Sequence, residues 1–300
     1  MSNFFNINDG SANKRIFYAN GATAFQAWQK PIGVNFVHFF LLGGGGGGGN
    51  GVAGGAGTTR RGGGSGGSSS VTTALFPASV IPDTLYINVG LGGAGGGSVQ
   101  NGALSYVMFY PSTAFTEVNV FLQSGNAAAG GGQTGSAGGA AGSAGTVWTA
   151  ANCIFDKLGL ITVFSGQIGV AGQPTVASAN LFISGLTTAG APGAGTDTST
   201  ALNGGSIIGG GEIPNISGGT TTNVDGSSGY MSTIPSVSIT TNKQMIFTGG
   251  AGGASSNLSK GGDGGNGAYG CGGGGGGAGI TSLAGNGGKG GDGLVIITCW

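Results

Sequence analysis

An all-β fold built around ordered glycine tracts, with essentially no α-helix, is what this sequence predicts. Three observations carry that expectation. Glycine supplies 75 of the 300 residues, whereas an average protein carries about 7%. The apolar residues gather in short runs bounded by Gly, Pro and Ser instead of being spread evenly. No capped stretch of about a dozen residues shows the i, i+3, i+4 apolar spacing of an amphipathic helix. Disorder normally couples low hydrophobicity to high net charge. This chain is 38% apolar and balances nine basic against nine acidic residues. The fold class expected is therefore β-sandwich-like strands combined with packed extended glycine helices of the polyglycine II type.

Residues 1–15 read as a polar lead-in, and residues 16–300 as a single glycine-rich β domain. The first strand region is 16–42. Ile16, Phe17 and Tyr18 are apolar, and residues 24–28 alternate with period two. Pro31 and Gly33 mark a turn, because Pro presets φ and Gly accepts positive φ. Residues 34–42 are too apolar for a strand with one face in water, so they belong inside a sheet. Further strand regions are expected at 71–122, 153–186, 236–247 and 294–300. Glycine tracts are expected at 43–67, 90–98, 125–145 and 249–293, and residues 187–229 read mostly as loop.

The glycines have a register. Every third residue is Gly at Gly45, Gly48, Gly51, Gly54 and Gly57, and again at Gly261, Gly264, Gly267, Gly270, Gly273, Gly276 and Gly279. Three residues per turn is the period of an extended polyproline-II-type helix, which has no internal hydrogen bonds. If buried, its amides and carbonyls must pair with neighbouring helices, and only glycine lets backbones approach closely enough. Collagen is excluded, since it needs abundant proline and the chain has 8. Off-register positions carry side chains at Asp263, Asn266, Tyr269 and Cys271. If Gly270, Gly273 and Gly276 face the inside of a helix bundle, Gly273→Val should be severe, and Gly274→Ser, in another phase, should be milder if that phase faces outward.

Composition excludes several function classes. Only 6% of residues are charged and the net charge is zero, so no basic field exists for nucleic acid or an anionic membrane. The longest apolar run is too short to cross a bilayer, so no membrane insertion is expected. Residues 1–5 have no signal-like character, and an extracellular destination would need lysis or a dedicated machine. Cys153, Cys271 and Cys299 form no CxxC pair and read as buried reduced thiols. His38, the only histidine, sits among aromatics with no nucleophile motif beside it, and reads as structural. The acidic residues do not cluster, and no Gly-Lys-Ser/Thr follows the glycine run at 43–49. Residues 287–295 fit a calcium nonapeptide with Asp292 in the acidic position. Its nearest relative in the chain begins at 261, not nine residues away as a calcium roll requires. No catalytic residue, metal site or cofactor is expected, and the chain reads as a non-enzyme. The best binding hint is aromatic: Tyr106, Tyr110, Phe115, Trp148 and Tyr230 lie where they could meet a sugar or receptor.

A family resemblance follows from three pieces in order. Trp28, Gln29, Lys30, Pro31, Ile32, Gly33 and Val34, followed by an apolar strand and residues 43–49, resemble the opening of glycine-rich domains in phage tail-fibre and virion proteins. Residues 85–93 resemble their second strand, and residues 290–297 their closing strand. The resemblance implies an adhesin-like or structural role in a virion or extracellular fibre. Its implied partners are other copies of the chain, other virion proteins, or a host-surface glycan or outer-membrane receptor. A self-assembling filament or capsid-surface protein without a receptor is the alternative. An ice-binding face is a third.

Overall fold

The computed structural model describes residues 13–21, 24–55, 57–113, 119–131, 139–146, 158–174, 178–196, 200–209, 213–235, 243–280 and 283–300. The strands in chain order are β1 (Asn13–Tyr18), β2 (Gln26–Gln29), β3 (Phe36–Leu42), β4 (Ala53–Gly54) and β5 (Val71–Pro77). Then come β6 (Thr84–Asn88), β7 (Tyr106–Met108), β8 (Val120–Gln123), β9 (Leu160–Phe164) and β10 (Leu181–Phe182). The series closes with β11 (Ile207–Ile208), β12 (Met231–Pro235), β13 (Lys243–Phe247), β14 (Gly279–Ile280) and β15 (Leu294–Cys299). Among the described residues the one helical element is a 3-10 turn at Ala78–Val80. The protein is all-β. Ser236 to Thr240, expected as strand, lie outside the described residues, as do the lead-in residues 1–12.

Two antiparallel sheets form the base. One runs β1-β15-β3-β5-β9 and the other β2-β6-β7-β8. A single apolar core joins them: Val37, Phe39, Leu41, Phe76, Val295 and Ile297 from the first meet Trp28, Leu85, Ile87, Val107 and Phe121 from the second. Phe121 centres an aromatic cluster, with ring centroids 5.0 Å from Phe76 and 5.6 Å from Phe39. Burying each such side chain contributes about 1.5–3 kcal/mol. The opposite face of the first sheet is buried too. Phe40, Leu42, Leu294 and Ile296 pack with Phe247 and Cys271, which belong to the glycine-rich half. That double burial is why β3 is apolar at nearly every position.

The first sheet also sets where the glycine segments start. Leu42 pairs with Val71 on one side and Leu294 on the other. The segments attached to these three residues, 43–51, 62–70 and 285–293, therefore leave the same end of the sheet side by side. Their backbones then bond to one another with a period of three. Gly46 and Gly49 donate to Gly67 and Gly64; Gly45, Gly48 and Gly51 donate to Gly291, Gly288 and Gly285; Gly44 and Gly47 donate to Ala103 and Gln100. The carbonyls of the same segment accept from Gly93 and Gly96, from Ala127 and Gly130, and from Gly273 and Gly276. Segment 43–51 is thus ringed by six others. Segment 271–278 is ringed in the same way, bonding to 46–49, 262–265, 188–194, 63–66, 250–256 and 285–291.

This arrangement overturns the single-phase expectation. A methyl group on Gly45, Gly46 or Gly47 would lie closer than 3.0 Å to the carbonyl oxygen of Cys271, Ala128 or Ala94 respectively. Gly274 is closed by the Ala251 carbonyl as firmly as Gly273 is by Gly288, so Gly274→Ser is not the milder change. A segment with neighbours on every side has no outward phase. Only surface segments have one, and 261–270 spends it on Asp263, Asn266 and Tyr269. Gly48, Gly51, Gly261, Gly264, Gly267, Gly276 and Gly279 also abut backbone carbonyls. Gly54 meets only side-chain atoms of Arg60 and Thr58, and Gly57 sits in a turn at φ +75° with open space around it. Gly270 also has positive φ, +70°, where its segment turns. Residues 187–229, read as loop, in part join the glycine-rich half: Gly190 and Gly193 donate to Gly66 and Gly63, and Gly226 donates to Asp263.

Short polar side chains close the perimeter. Asp225 Oδ1 accepts the Asp263 amide and Asp263 Oδ1 the Asn286 amide, each at 2.7 Å. Asn266 Oδ1 accepts the Lys289 amide at 2.7 Å. Each replaces the carbonyl that a further segment would have offered. Arg60 does the converse at a segment end. Its buried guanidinium donates to the carbonyls of Gly279 at 2.9 Å, Ser256 at 3.4 Å and Thr58 at 3.3 Å, and to Asn257 Oδ1.

Candidate functional site

The aromatic residues singled out from the sequence do not converge. Tyr106 is buried in β7 against Met108 and Val120, and burial raises its phenol pKa. It is a core residue and not a receptor contact: its strand is covered on the side that alternation left ambiguous. Tyr110 is exposed beyond the end of β7. Phe115 and Trp148 lie outside the described residues, as does Cys153. Tyr230 alone lines a concavity.

Among the described residues, two concavities bear on ligand binding. The larger, about 670 Å³, lies beside the turn at Pro31 and Gly33 and is lined by Lys30, Asn35, Ser79 and Asp83 among others. Its lysine is already committed. Lys30 Nζ donates to the carbonyls of Ile81 at 2.6 Å and Ala78 at 3.0 Å, and pairs with Asp83 at 3.1 Å. That is a clasp between a turn and the 3-10 segment, not a recognition group.

The smaller concavity, about 300 Å³, is the better candidate because some of its polar groups remain unspent among the described residues. It runs over three surface segments and is lined by Tyr230, Asn266, Tyr269, Lys289 and Asp292 together with glycine backbone. Asn266 and Lys289 stand side by side because the Lys289 amide bonds Asn266 Oδ1. Asp292 Oδ1 takes the Gly92 amide at 2.8 Å and the Lys289 ammonium at 2.9 Å. Tyr269 is held by Phe247, edge to face at 6.4 Å, and by Tyr18 at 6.0 Å. The Tyr230 hydroxyl donates to the Pro214 carbonyl at 2.8 Å, and burial raises its pKa. Sequence reasoning noted Asn266 and Tyr269 only as off-register side chains. The signal that finds the groove is the set of non-glycine residues every third position, 263, 266 and 269 beside 286, 289 and 292.

The remaining titratable groups are structural. His38 is buried in β3, and desolvation lowers its pKa to about 4. Cys271 and Cys299 are free and buried. Burial pushes the Cys299 thiol up to about 11 and the Cys271 thiol far above its ordinary value, a hydrogen bond with the Thr188 backbone opposing the latter. Both are therefore protonated and unreactive at neutral pH. Where a calcium ion would take Asp292, the Lys289 ammonium sits instead. Among the described residues no three His, Cys, Asp or Glu side chains come together. No described helix is long and apolar enough to cross a membrane. Compared with known proteins, the sequence matches no family model and no curated protein.

Proposed function

We propose that this chain is a non-enzymatic structural module of an extracellular or virion fibre, presenting an adhesin-like surface to a host receptor. In this reading the two sheets form a sandwich-like base, and the glycine segments pack as polyglycine-II-type helices. The period-three bonding of residues 43–51 to six surrounding segments supports that packing. The observation that carries the functional reading is the contrast between a closed backbone interior and an open, side-chain-bearing groove on its surface. A rigid scaffold that spends its few side chains at one surface suits presentation better than turnover. The test is a cell-adhesion assay with purified protein, read beside electron microscopy. Discrete particles that bind host-type bacteria are expected, and particles that bind no cell surface would overturn the adhesin role.

Self-assembly is a second reading, favoured by β9. That strand forms one edge of the five-stranded sheet. It carries no charge, and its Leu160 is 74% exposed, with Phe182 at 68% nearby in sequence order. An uncharged apolar edge is a template for a second strand. Thr162→Lys places a charge on that edge. If filaments form through β9, analytical ultracentrifugation will show the variant losing the large species that the parent forms.

A further inference from the structure

We infer that the groove bounded by Tyr230, Tyr269, Asn266, Lys289 and Asp292 is a saccharide-binding site for neutral, hydroxyl-rich chains. The inference rests on the adhesin reading for its biological setting, but its chemistry stands on the groove alone.

Three groups there are unspent. The Tyr269 hydroxyl, the Asn266 side-chain NH₂ and Asp292 Oδ2 make no hydrogen bond among the described residues, while Asn266 Oδ1 and Asp292 Oδ1 accept bonds that hold the segments together. The site therefore offers two donors and one acceptor, already fixed in position by the bonds their partner atoms make. A carboxylate oxygen and an amide lining one groove suit sugar hydroxyls, each of which can donate and accept. Tyr269 supplies the apolar partner. Phe247 and Tyr18 brace its ring, so binding a pyranose face against it costs little side-chain entropy.

Charge decides the ligand class. Lys289 and Asp292 neutralise each other across 2.9 Å. An anionic ligand would have to compete with Asp292 for the ammonium, and a cationic one with Lys289 for the carboxylate. A neutral polyol competes with neither. The groove is shallow and open along the segments, which fits part of a chain better than an enclosed small molecule.

The test uses the full chain and, beside a sialylated trisaccharide, a panel of maltotriose, cellotriose, mannotriose and a neutral galactotriose, read by saturation-transfer NMR and titration. At least one should bind. Asp292→Asn keeps Oδ1 as acceptor for the Gly92 amide, so the segment stays bonded, and it should weaken binding about tenfold. Tyr269→Phe keeps the ring and should weaken it only a few-fold, whereas Tyr269→Ala should abolish it. Melting curves establish that Asp292→Asn and Tyr269→Phe remain folded. Equal affinity in the parent and Asp292→Asn, or binding confined to sialylated probes, would overturn the assignment. No saccharide binding by a protein that still adheres to cells would overturn this site and leave the adhesin reading standing. Loss of both would remove the two together.

Discussion

The sheet core and the glycine-rich half are both tightly closed, but by different atoms. Around Phe39, Phe76 and Phe121 the closure is made by side chains, which have rotamers and can shift. Around Gly46, Gly273 and Gly274 it is made by backbone carbonyls, which cannot move without dragging a whole segment. Removing an atom is therefore the damaging change in the first region, and adding one is the damaging change in the second.

The largest effects test that contrast directly. Phe39→Ala leaves a void beneath β3 and should cost about 3–5 kcal/mol. Gly274→Ala adds one methyl group against the Ala251 carbonyl and should cost about 2–5 kcal/mol by parting two segments and their amide bonds. Urea midpoints measure both; a near-neutral Gly274→Ala would mean the glycine-rich half is loosely packed. The paired control is Gly55→Ala, whose added methyl meets nothing within 4 Å and should shift stability by less than about 0.5 kcal/mol.

His38 sharpens the comparison from the sheet side. Its folded pKa, about 4, lies below the unfolded value near 6.5. The unfolded chain binds the proton more readily, so this stability is fully present above about pH 6.5 and is lost as pH falls toward 4. The full loss is about 3 kcal/mol. Urea midpoints at pH 7 and pH 5 should differ in the parent protein and differ less in His38→Gln. Apart from the Gly55→Ala control, the smallest effect belongs to the perimeter. Asp263→Ala removes the acceptor for the Asn286 amide, but that amide can turn to water. A loss of about 0.5–1.5 kcal/mol is expected in the same assay.

The strands were legible because burial on one or both sheet faces leaves a mark in side-chain chemistry. The apolar run of β3 and the closing strand β15 could be placed to within a residue or two. The glycine half left less of a mark. A run such as residues 43–49 carries nothing to say which neighbour each amide meets, so its three phases looked unequal when all were closed. The Gly, Thr, Ser and Asn of 187–229 read as loop, yet within 188–194 the amides of Gly190, Ala191, Gly193 and Ala194 all bond to flanking segments. Tyr106 reads as lying near a loop or sheet end, whereas the structure buries it against Met108 and Val120. The groove was half visible, since Asn266 and Tyr269 stood out, but their partners Lys289 and Asp292 come from another segment.

The bond between Asn50 Oδ1 and the Gly287 amide joins residues 237 positions apart. Gly45 and Gly291 are joined in the same way. On the ribosome, the amides of Gly45, Gly48 and Gly51 wait for acceptors in 285–291, whereas Gly46 and Gly49 find theirs at Gly67 and Gly64 much sooner. Contacts of such long sequence separation form slowly, and the waiting chain exposes the edges of β3 and β5 meanwhile. The ring around residues 43–51 therefore stays open until residues 285–291 join it, and a nascent chain cut short before them leaves the amides of Gly45, Gly48 and Gly51 without these acceptors.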